Sequence, residues 1–374
     1  MNASLIIYGS LDQVSGGYLY DRLLVENLRK RGARVELLPL PPGSYLRHLT
    51  DNLLRAWPRA LEAMSPDLLL QDELCHPSLF RMNRQLKKRW KGPIVAIVHH
   101  LRSSEARPAW QNRLYRLAER RYLRTVDGFV FNSETTRAVV RELLGGEPCS
   151  VVAYPGSDHV PCIPADKVAE RCRRPGPLRI LFTGNVIPRK GLHTLVSALS
   201  LLAGESWELT VAGSLSADGP YVRRIANQIA RAGLGERVRL LDTVTPAELT
   251  GLLMSHHCLA VPSSYEGFGI VYLEAMRSGA TVLASMVGAV PEVVADGREG
   301  FLVSPGDVRS LAAAIGRWIR DRDLLLSMSL AAWERSRHHP TWAASGARVE
   351  TFLEEVTGWK KHGMTGGFNH GHPG

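Results

Sequence analysis

The sequence predicts an α/β protein of two doubly wound domains, each a parallel sheet wrapped by helices. Three observations carry that expectation. Strand-length apolar runs alternate with helix-length amphipathic stretches along nearly the whole chain. The alternation lapses near residues 161–177 and then restarts. Finally, 374 residues exceed what one core usually serves, which favours two domains of roughly 150 to 180 residues.

The first set of strands is read in SLIIYG (4–9), RVELLPL (34–40), DLLLQ (67–71), PIVAIVHH (93–100), DGFVFNS (127–133) and SVVAYPG (150–156), with helical patterns at 18–31 and 133–144 between them. The stretch PCIPADKVAERCRRPGP (161–177), rich in proline and arginine, reads as a hinge. Beyond it LRILFTG (178–184), WELTVAG (207–213), RVRLLD (237–242), HCLAVPS (257–263), ATVLAS (280–285) and GFLVSPG (300–306) form the second set. Helices are expected near 190–203, 219–232, 246–254, 271–278 and 308–320, with a closing amphipathic helix near 340–358. The glycine-rich end, with His362, His370 and His372, reads as a disordered tail rather than a metal site.

A balance of 46 basic against 36 acidic residues, net +10, favours an anionic partner. Nucleic acid is disfavoured, because aromatics are 7% of the chain and are not interleaved with the basic residues. GSLDQVSGG (9–17) lacks the Gly-x-Gly-x-x-Gly of a dinucleotide-binding dehydrogenase. Five scattered cysteines, none spaced Cys-x-x-Cys, argue against disulfides and zinc and fit a reducing cytosol. The start has no signal-peptide pattern and no run reaches the roughly 18 apolar residues of a membrane span, so a cytoplasmic protein, at most peripheral on the inner face of the membrane, is expected.

Ligands of doubly wound sheets sit on the loops after strands, and four such loops carry unusual residues. In PSSYEGFGIVYLEAMRSGATVLAS (262–285), Gly267, Phe268 and Gly269 open a helix whose free N–H groups suit an anion, Glu274 suits a vicinal diol such as ribose, and Glu266 suits sugar hydroxyls. A plain turn with Glu274 on a solvated face is the alternative. In ILFTGNVIPRKGLHTLVSAL (180–199), Gly184 turns the chain and Arg189 and Lys190 open a helix, where two cations oppose the dipole unless an anion meets them. A diphosphate would do so; solvated surface charge is the bland reading. IVAIVHHLRSSE ends a strand on His99 and His100, which otherwise read as a buried strand end, and Gly16 and Gly17 leave a fourth loop without side chains.

Glu266 and Glu274 within EGFGIVYLEAMRSGATVLAS, followed by GAVPEVVADGREGFLVSPGD, together with GNVIPRKG and SGGYLYDRLLVENLRKRGARVELL, resemble glycosyltransferase family 4, retaining enzymes of GT-B fold, over about residues 4–358. The resemblance implies two Rossmann-like domains facing a cleft: an acceptor domain at 1–165, a nucleotide-sugar donor domain at 176–340, a helix at 341–360 crossing back onto the first domain, and a tail at 361–374. It implies that Glu274 binds the ribose, that Glu266 and Gly267–Gly269 touch donor sugar and phosphates, and that Lys190 clasps the diphosphate. His99 would lie near donor sugar and acceptor, and Gly16 and Gly17 would leave room for the leaving diphosphate. Where members commonly read Gly-Arg, this chain has Gly184 and Asn185, with Arg189 as the substitute cation. His99, Glu266, Arg189 and Lys190 are therefore the expected catalytic set. No cofactor and no metal is expected, since the one Asp-x-Asp, Asp321 to Asp323, falls at a helix junction where Asp323 reads as an N-cap.

The expected reaction is retaining transfer from a nucleotide sugar to a lipid-linked or saccharide acceptor, in glycolipid, lipopolysaccharide or polysaccharide synthesis. A sugar-nucleotide epimerase of the same fold and a non-catalytic nucleotide-sugar or nucleic-acid binding protein are the alternatives. In ARPAWQNRLYRLAERRYLRT (106–125), Arg113, Arg116, Arg120 and Arg124 form a basic stripe beside Trp110, Leu114 and Leu117. Such a helix either lies on an anionic membrane surface or packs its apolar side on its own sheet.

Overall fold

The structure, a computed structural model, describes residues 1–13, 15–52 and 66–361. It divides into two compact units: Met1–Ser103 with Arg107–Tyr154 and the chain from Ala343 onward, and Pro155–Trp342 with Ser104–Ala106.

The first unit holds β1 (Asn2–Tyr8), β2 (Arg34–Leu40), β3 (Leu68–Asp72), β4 (Ile94–Val98), β5 (Gly128–Phe131) and β6 (Ser150–Val152), with α1 (Gly16–Lys30), α2 (Tyr45–Asp51), α3 (His76–Leu86), α4 (Ala109–Leu123) and α5 (Glu134–Leu144). Among the described residues its strands form one parallel sheet in the order β2-β1-β3-β4-β5-β6. β3, β4 and β5 are buried at every position, as strands covered on both faces must be. Ile6, Leu69, Ile94, Val98, Phe129 and Phe131 pack there with Leu79, Met82 and Leu86 of α3 and with Tyr122 and Leu123 of α4. The order reverses between β1 and β3, so the loops after those strands flank the switch point.

The second unit holds β7 (Leu178–Thr183), β8 (Trp207–Ala212), β9 (Val238–Leu241), β10 (Cys258–Val261), β11 (Thr281–Ser285) and β12 (Gly300–Val303). Its helices are α6 (Ala165–Arg173), α7 (Leu192–Ser200), α8 (Gly219–Arg231), α9 (Pro246–Ser255), α10 (Ile270–Arg277), α11 (Val290–Val293), α12 (Val308–Arg320) and α13 (Arg322–Arg337). The sheet order is β12-β11-β10-β7-β8-β9, all parallel, with the switch between β10 and β7. The two loops singled out in the sequence, after β7 and after β10, are therefore the two that flank this switch. Each of the twelve predicted apolar runs overlaps a strand, β1 starting two residues earlier and β3 ending one residue later than their runs.

Three sequence expectations need correction. The supposed hinge at 161–177 contains α6, inside the second unit, and the chain leaves the first unit at Tyr154 rather than near residue 165. One of its arginines serves packing: Arg171 is buried and donates to the carbonyls of Met254 and Ser278, each at 2.9 Å, and of Gly279, closing the C-terminal ends of α9 and α10, while Arg173 and Arg174 are exposed. Asp321, not Asp323, caps α13, its Oδ1 accepting from Leu324 N at 2.8 Å, while Asp323 lies in the first turn. α1 starts at Gly16, because the Ser15 side chain caps it, so Gly16 and Gly17 form its first turn.

The last helix, α14 (Trp342–Lys361), begins in the second unit and belongs to the first from Ala343 onward. There Ser345 Oγ donates to Tyr154 O, Glu350 pairs with Arg31, and Phe352 reaches the backbone of β5 at Gly128. The tail histidines His362, His370 and His372 lie outside the described residues. No helix among the described residues is long and apolar enough to cross a membrane.

Candidate active site

At the switch of the second unit, Pro188–Lys190 forms a single 3₁₀ turn and Gly191 then leads into α7. Gly191 has φ +74°, and a Cβ there would lie 2.1 Å from the carbonyl oxygen of Pro262, so only glycine lets the two loops approach. The approach is used. Ser264 N donates to Arg189 O at 2.8 Å, Arg189 Nη1 donates to Tyr265 O at 2.9 Å, and Lys190 Nζ donates to Glu266 Oε2 at 2.7 Å. Ser263 Oγ also donates to Glu266 Oε2, at 3.3 Å. Lys190 and Glu266 side chains keep 14% and 12% of their surface. The anion that the sequence argument demanded for these cations is thus in part a carboxylate of the protein itself.

Gly184, at the end of β7, lies under this turn, a Cβ on it meeting Lys190 Cε at 3.5 Å, and Asn185 O accepts from Ile187 N. Gly269, at φ +90°, is the residue from which α10 starts. Gly267 precedes it, while Phe268 is buried with its ring 6.2 Å from that of His339. Glu274 is not on a solvated face: it is 7% exposed, and its Oε1 accepts from His159 Nε2 at 2.8 Å. The structure therefore brings Gly184, Arg189, Lys190 and Glu266 together directly, with Asn185 next to Gly184 in the chain and Gly267 to Gly269 and Glu274 continuing along the same loop and helix.

The first unit holds the remaining site residues. His99, just past β4, is buried, with Nε2 2.9 Å from Asp21 Oδ1, and Asn132 Nδ2 donates to its carbonyl at 3.0 Å. Its ring also lies against α1, 3.2 Å from where a Cβ on Gly17 would be. Burial alone would push the imidazole down, but Asp21, with Asp72 and Glu73 behind it, outweighs burial and pushes the pKa up to about 9. Asp72 is in turn pushed up to about 7, by burial first and by Asp21 second, against the pull of His99.

Sequence reading missed Asp21, Asp72 and His159. It also missed a second buried group, Glu73, His76 and Glu119, in which His76 Nδ1 sits 3.0 Å from Glu73 Oε1 and Tyr45 Oη lies 3.0 Å from His76 Nε2. In this group, and in the group formed by Asp21, Asp72 and His99, one nitrogen or carboxylate oxygen of each residue lies within 4.8 Å of the others. Only spacing along a strand end, Asp72-Glu73-x-x-His76, hinted at either.

α4 turns out opposite to the ordinary packing of a surface helix. Trp110, Leu114 and Leu117 are 63%, 59% and 53% exposed, and the buried face is made by Glu119, Tyr122 and Leu123. Ser103 supplies Glu119 with two hydrogen bonds, which is how a carboxylate takes the inner face. Arg113, Arg116 and Arg120 are exposed along the helix, Arg124 is exposed at its C-cap, and Arg116 pairs with Glu142.

Two parallel six-stranded units, with the last described helix belonging to the first unit, have the architecture of the GT-B fold. The chain belongs to glycosyltransferase family 4: the model of the glycosyl transferase 4-like domain matches residues 16–156 and that of glycosyl transferases group 1 matches 168–335. It is a glycosyltransferase. A D-inositol 3-phosphate glycosyltransferase of Corynebacterium efficiens is 28% identical over 286 residues, 72% of this chain and 67% of that one. Sucrose-phosphate synthase from Thermosynechococcus elongatus superposes with a TM-score of 0.81 at 23% identity, covering 96% of this chain and 99% of that one. HepE of Anabaena, in complex with UDP-glucose, superposes with a TM-score of 0.76 at 19% identity over 95% of this chain and 100% of that one.

Proposed function

We propose that the chain moves a glycosyl group from a nucleoside-diphosphate sugar to an acceptor hydroxyl with retention of configuration and with no resident metal or cofactor. The observation that carries this reading is the Lys190–Glu266 pair beside the start of α10, with Glu274 one turn into that helix. Lys190, Arg189 and the N–H groups that open α10 suit a diphosphate whose charge grows as the anomeric C–O bond breaks. Glu274 suits the ribose hydroxyls and Glu266 those of the sugar. The acceptor oxygen then bonds the anomeric carbon on the face the diphosphate leaves, and its proton passes to a departing phosphate oxygen. His99 takes no proton in this scheme, because its Nε2 is already held by Asp21.

The acceptor reading is a lipid-linked or saccharide hydroxyl met at an anionic membrane surface. Its support is the exposed Trp110, Leu114 and Leu117 flanked by Arg113, Arg120 and Arg124. A small soluble inositol phosphate is the second reading, favoured by the names of the relatives. The test is incubation with UDP-, GDP- and ADP-sugars in excess chelator, with each acceptor class in turn. Release of nucleoside diphosphate coupled to an axial or equatorial linkage matching the donor supports the proposal. Inversion, or activity only with added Mg²⁺ or Mn²⁺, overturns retention or metal independence respectively.

A further inference from the structure

The chain passes from the first unit to the second at Tyr154–Pro155 and returns at Trp342–Ala343. Just inside the second unit these two crossings are fastened to each other. Trp342 N donates to Asp158 Oδ1 at 2.8 Å, and His339 Nε2 donates to Pro155 O at 2.9 Å. Gly156 has no room for a side chain, since a Cβ there would sit 2.5 Å from Trp342 N. Between Asp158 and α10 stands His159, and its surroundings fix its chemistry. Trp342 Nε1 lies 3.1 Å from His159 Nδ1, and an indole N–H only donates. Nδ1 is therefore the acceptor, the proton sits on Nε2, and Nε2–H donates to Glu274 Oε1 at 2.8 Å.

Among the described residues, His159 is the donor that meets the Glu274 carboxylate. A carboxylate that is 7% exposed depends on such a donor for its orientation. The strand of chain carrying His159 is held from the helix side as well, because Arg277, one turn beyond Glu274, donates from Nε to Val160 O at 2.6 Å. Trp342, 5% exposed, closes the other side.

We propose that His159 is a positioning residue for the nucleotide: locked as a donor by Trp342, it takes Oε1 of Glu274 and presents Oε2 to the ribose hydroxyls. The inference rests on the donor reading given above and adds a residue that no donor motif of the sequence contains. His159 touches no ligand in this scheme. It sets the rotamer of the group that does, and it makes that rotamer depend on the first residue of α14.

The test is calorimetric binding of UDP, GDP and ADP to the full chain, carrying forward whichever binds most tightly, with its 2′,3′-dideoxy analogue and inorganic pyrophosphate as controls. His159→Leu is expected to weaken the nucleoside diphosphate about tenfold, the loss of one hydrogen bond to a charged group. It leaves the dideoxy analogue and pyrophosphate unchanged. His159→Gln, whose amide N–H replaces Nε2–H, restores affinity to within about twofold. Combined with Glu274→Ala, His159→Leu adds nothing further, because the two residues act through one contact. Equal weakening of all three ligands would reduce His159 to a packing residue, and unchanged affinity in a folded His159→Leu protein would remove it from nucleotide binding; either overturns the proposal. A wild type that binds none of the three nucleoside diphosphates, but is folded, would instead bring down the donor reading on which this inference stands.

Discussion

Lys190 and Glu266, 76 positions apart in the chain, meet at 2.7 Å across the switch point of the second sheet. Both are mostly buried, so neither charge is free of the other. Lys190→Met leaves a carboxylate without its cation and a diphosphate without one of its clamps. Turnover is expected to fall about 10²- to 10³-fold, the usual effect of removing one preorganised donor from a developing charge. The reversed pair, Lys190→Glu with Glu266→Lys, separates structure from chemistry. It should recover most of the thermal stability lost in Lys190→Met but not the turnover. Recovery of both would mean that the pair holds the loops together and does nothing to the donor.

How far the sequence led is visible in this same pair. Both residues were legible as ligand groups, because each stands beside glycines at the end of an apolar run, and such runs become strands wherever both faces are covered. Their ion pair was not legible, since it joins loops that only the sheet order brings together. His159 and Asp21 were invisible for the same reason. Their partners lie 115 and 78 positions away, and a lone histidine or aspartate gives no periodic signal. Arg171 misled more actively: an arginine among prolines looks like a linker until three carbonyls converge on it.

That convergence gives a stability prediction. Arg171→Met fills similar space yet leaves the carbonyls of Met254, Ser278 and Gly279 without their donor. Buried unsatisfied groups cost about 1–3 kcal/mol each, and with partial relaxation a total loss of about 3 kcal/mol is expected. For a domain of this size that corresponds to a fall in Tm of about 6–12 °C. A Tm within about 2 °C of wild type would show that water or backbone shifts replace the guanidinium.

The Asp21–His99 pair makes stability depend on pH in a stated direction. His99 has a folded pKa near 9 against 6.5 unfolded, so the folded state holds its proton more tightly. Stability from this group is complete below pH 6.5 and is lost as pH rises through 9. Asp72, raised from 3.8 to about 7, acts in the same sense, its contribution being lost as pH rises through about 7, so it adds to the lower part of that fall. Thermal unfolding followed from pH 7 to 9.5 should therefore show a falling Tm in the wild type. Asp21→Asn removes the main attraction for the imidazolium and should flatten that limb. An equal slope in both proteins would assign the alkaline loss to other groups.

The exposed side of α4 carries the last prediction. At about 100° per residue, Trp110, Leu114 and Leu117 share one line along the helix, with Arg113, Arg120 and Arg124 on its flank and Arg121 within it. Because the inner face is already supplied by Glu119, Tyr122 and Leu123, the apolar line is left over from folding rather than consumed by it. An apolar stripe bordered by arginines suits the boundary between headgroups and acyl chains of an anionic leaflet, where each basic residue adds about 1 kcal/mol. The protein should therefore co-sediment with vesicles containing acidic phosphatidylglycerol, and release as salt screens the exposed charges. Two variants divide the contributions. Converting Arg113, Arg116, Arg120 and Arg124 to glutamine should abolish the dependence on lipid charge, and Trp110→Ser with Leu114→Ser should weaken binding at every salt concentration. Both variants should retain turnover on a soluble acceptor. If wild type fails to sediment at low salt, or sediments as well as both variants, the stripe serves another purpose and the acceptor reading shifts to the soluble inositol phosphate.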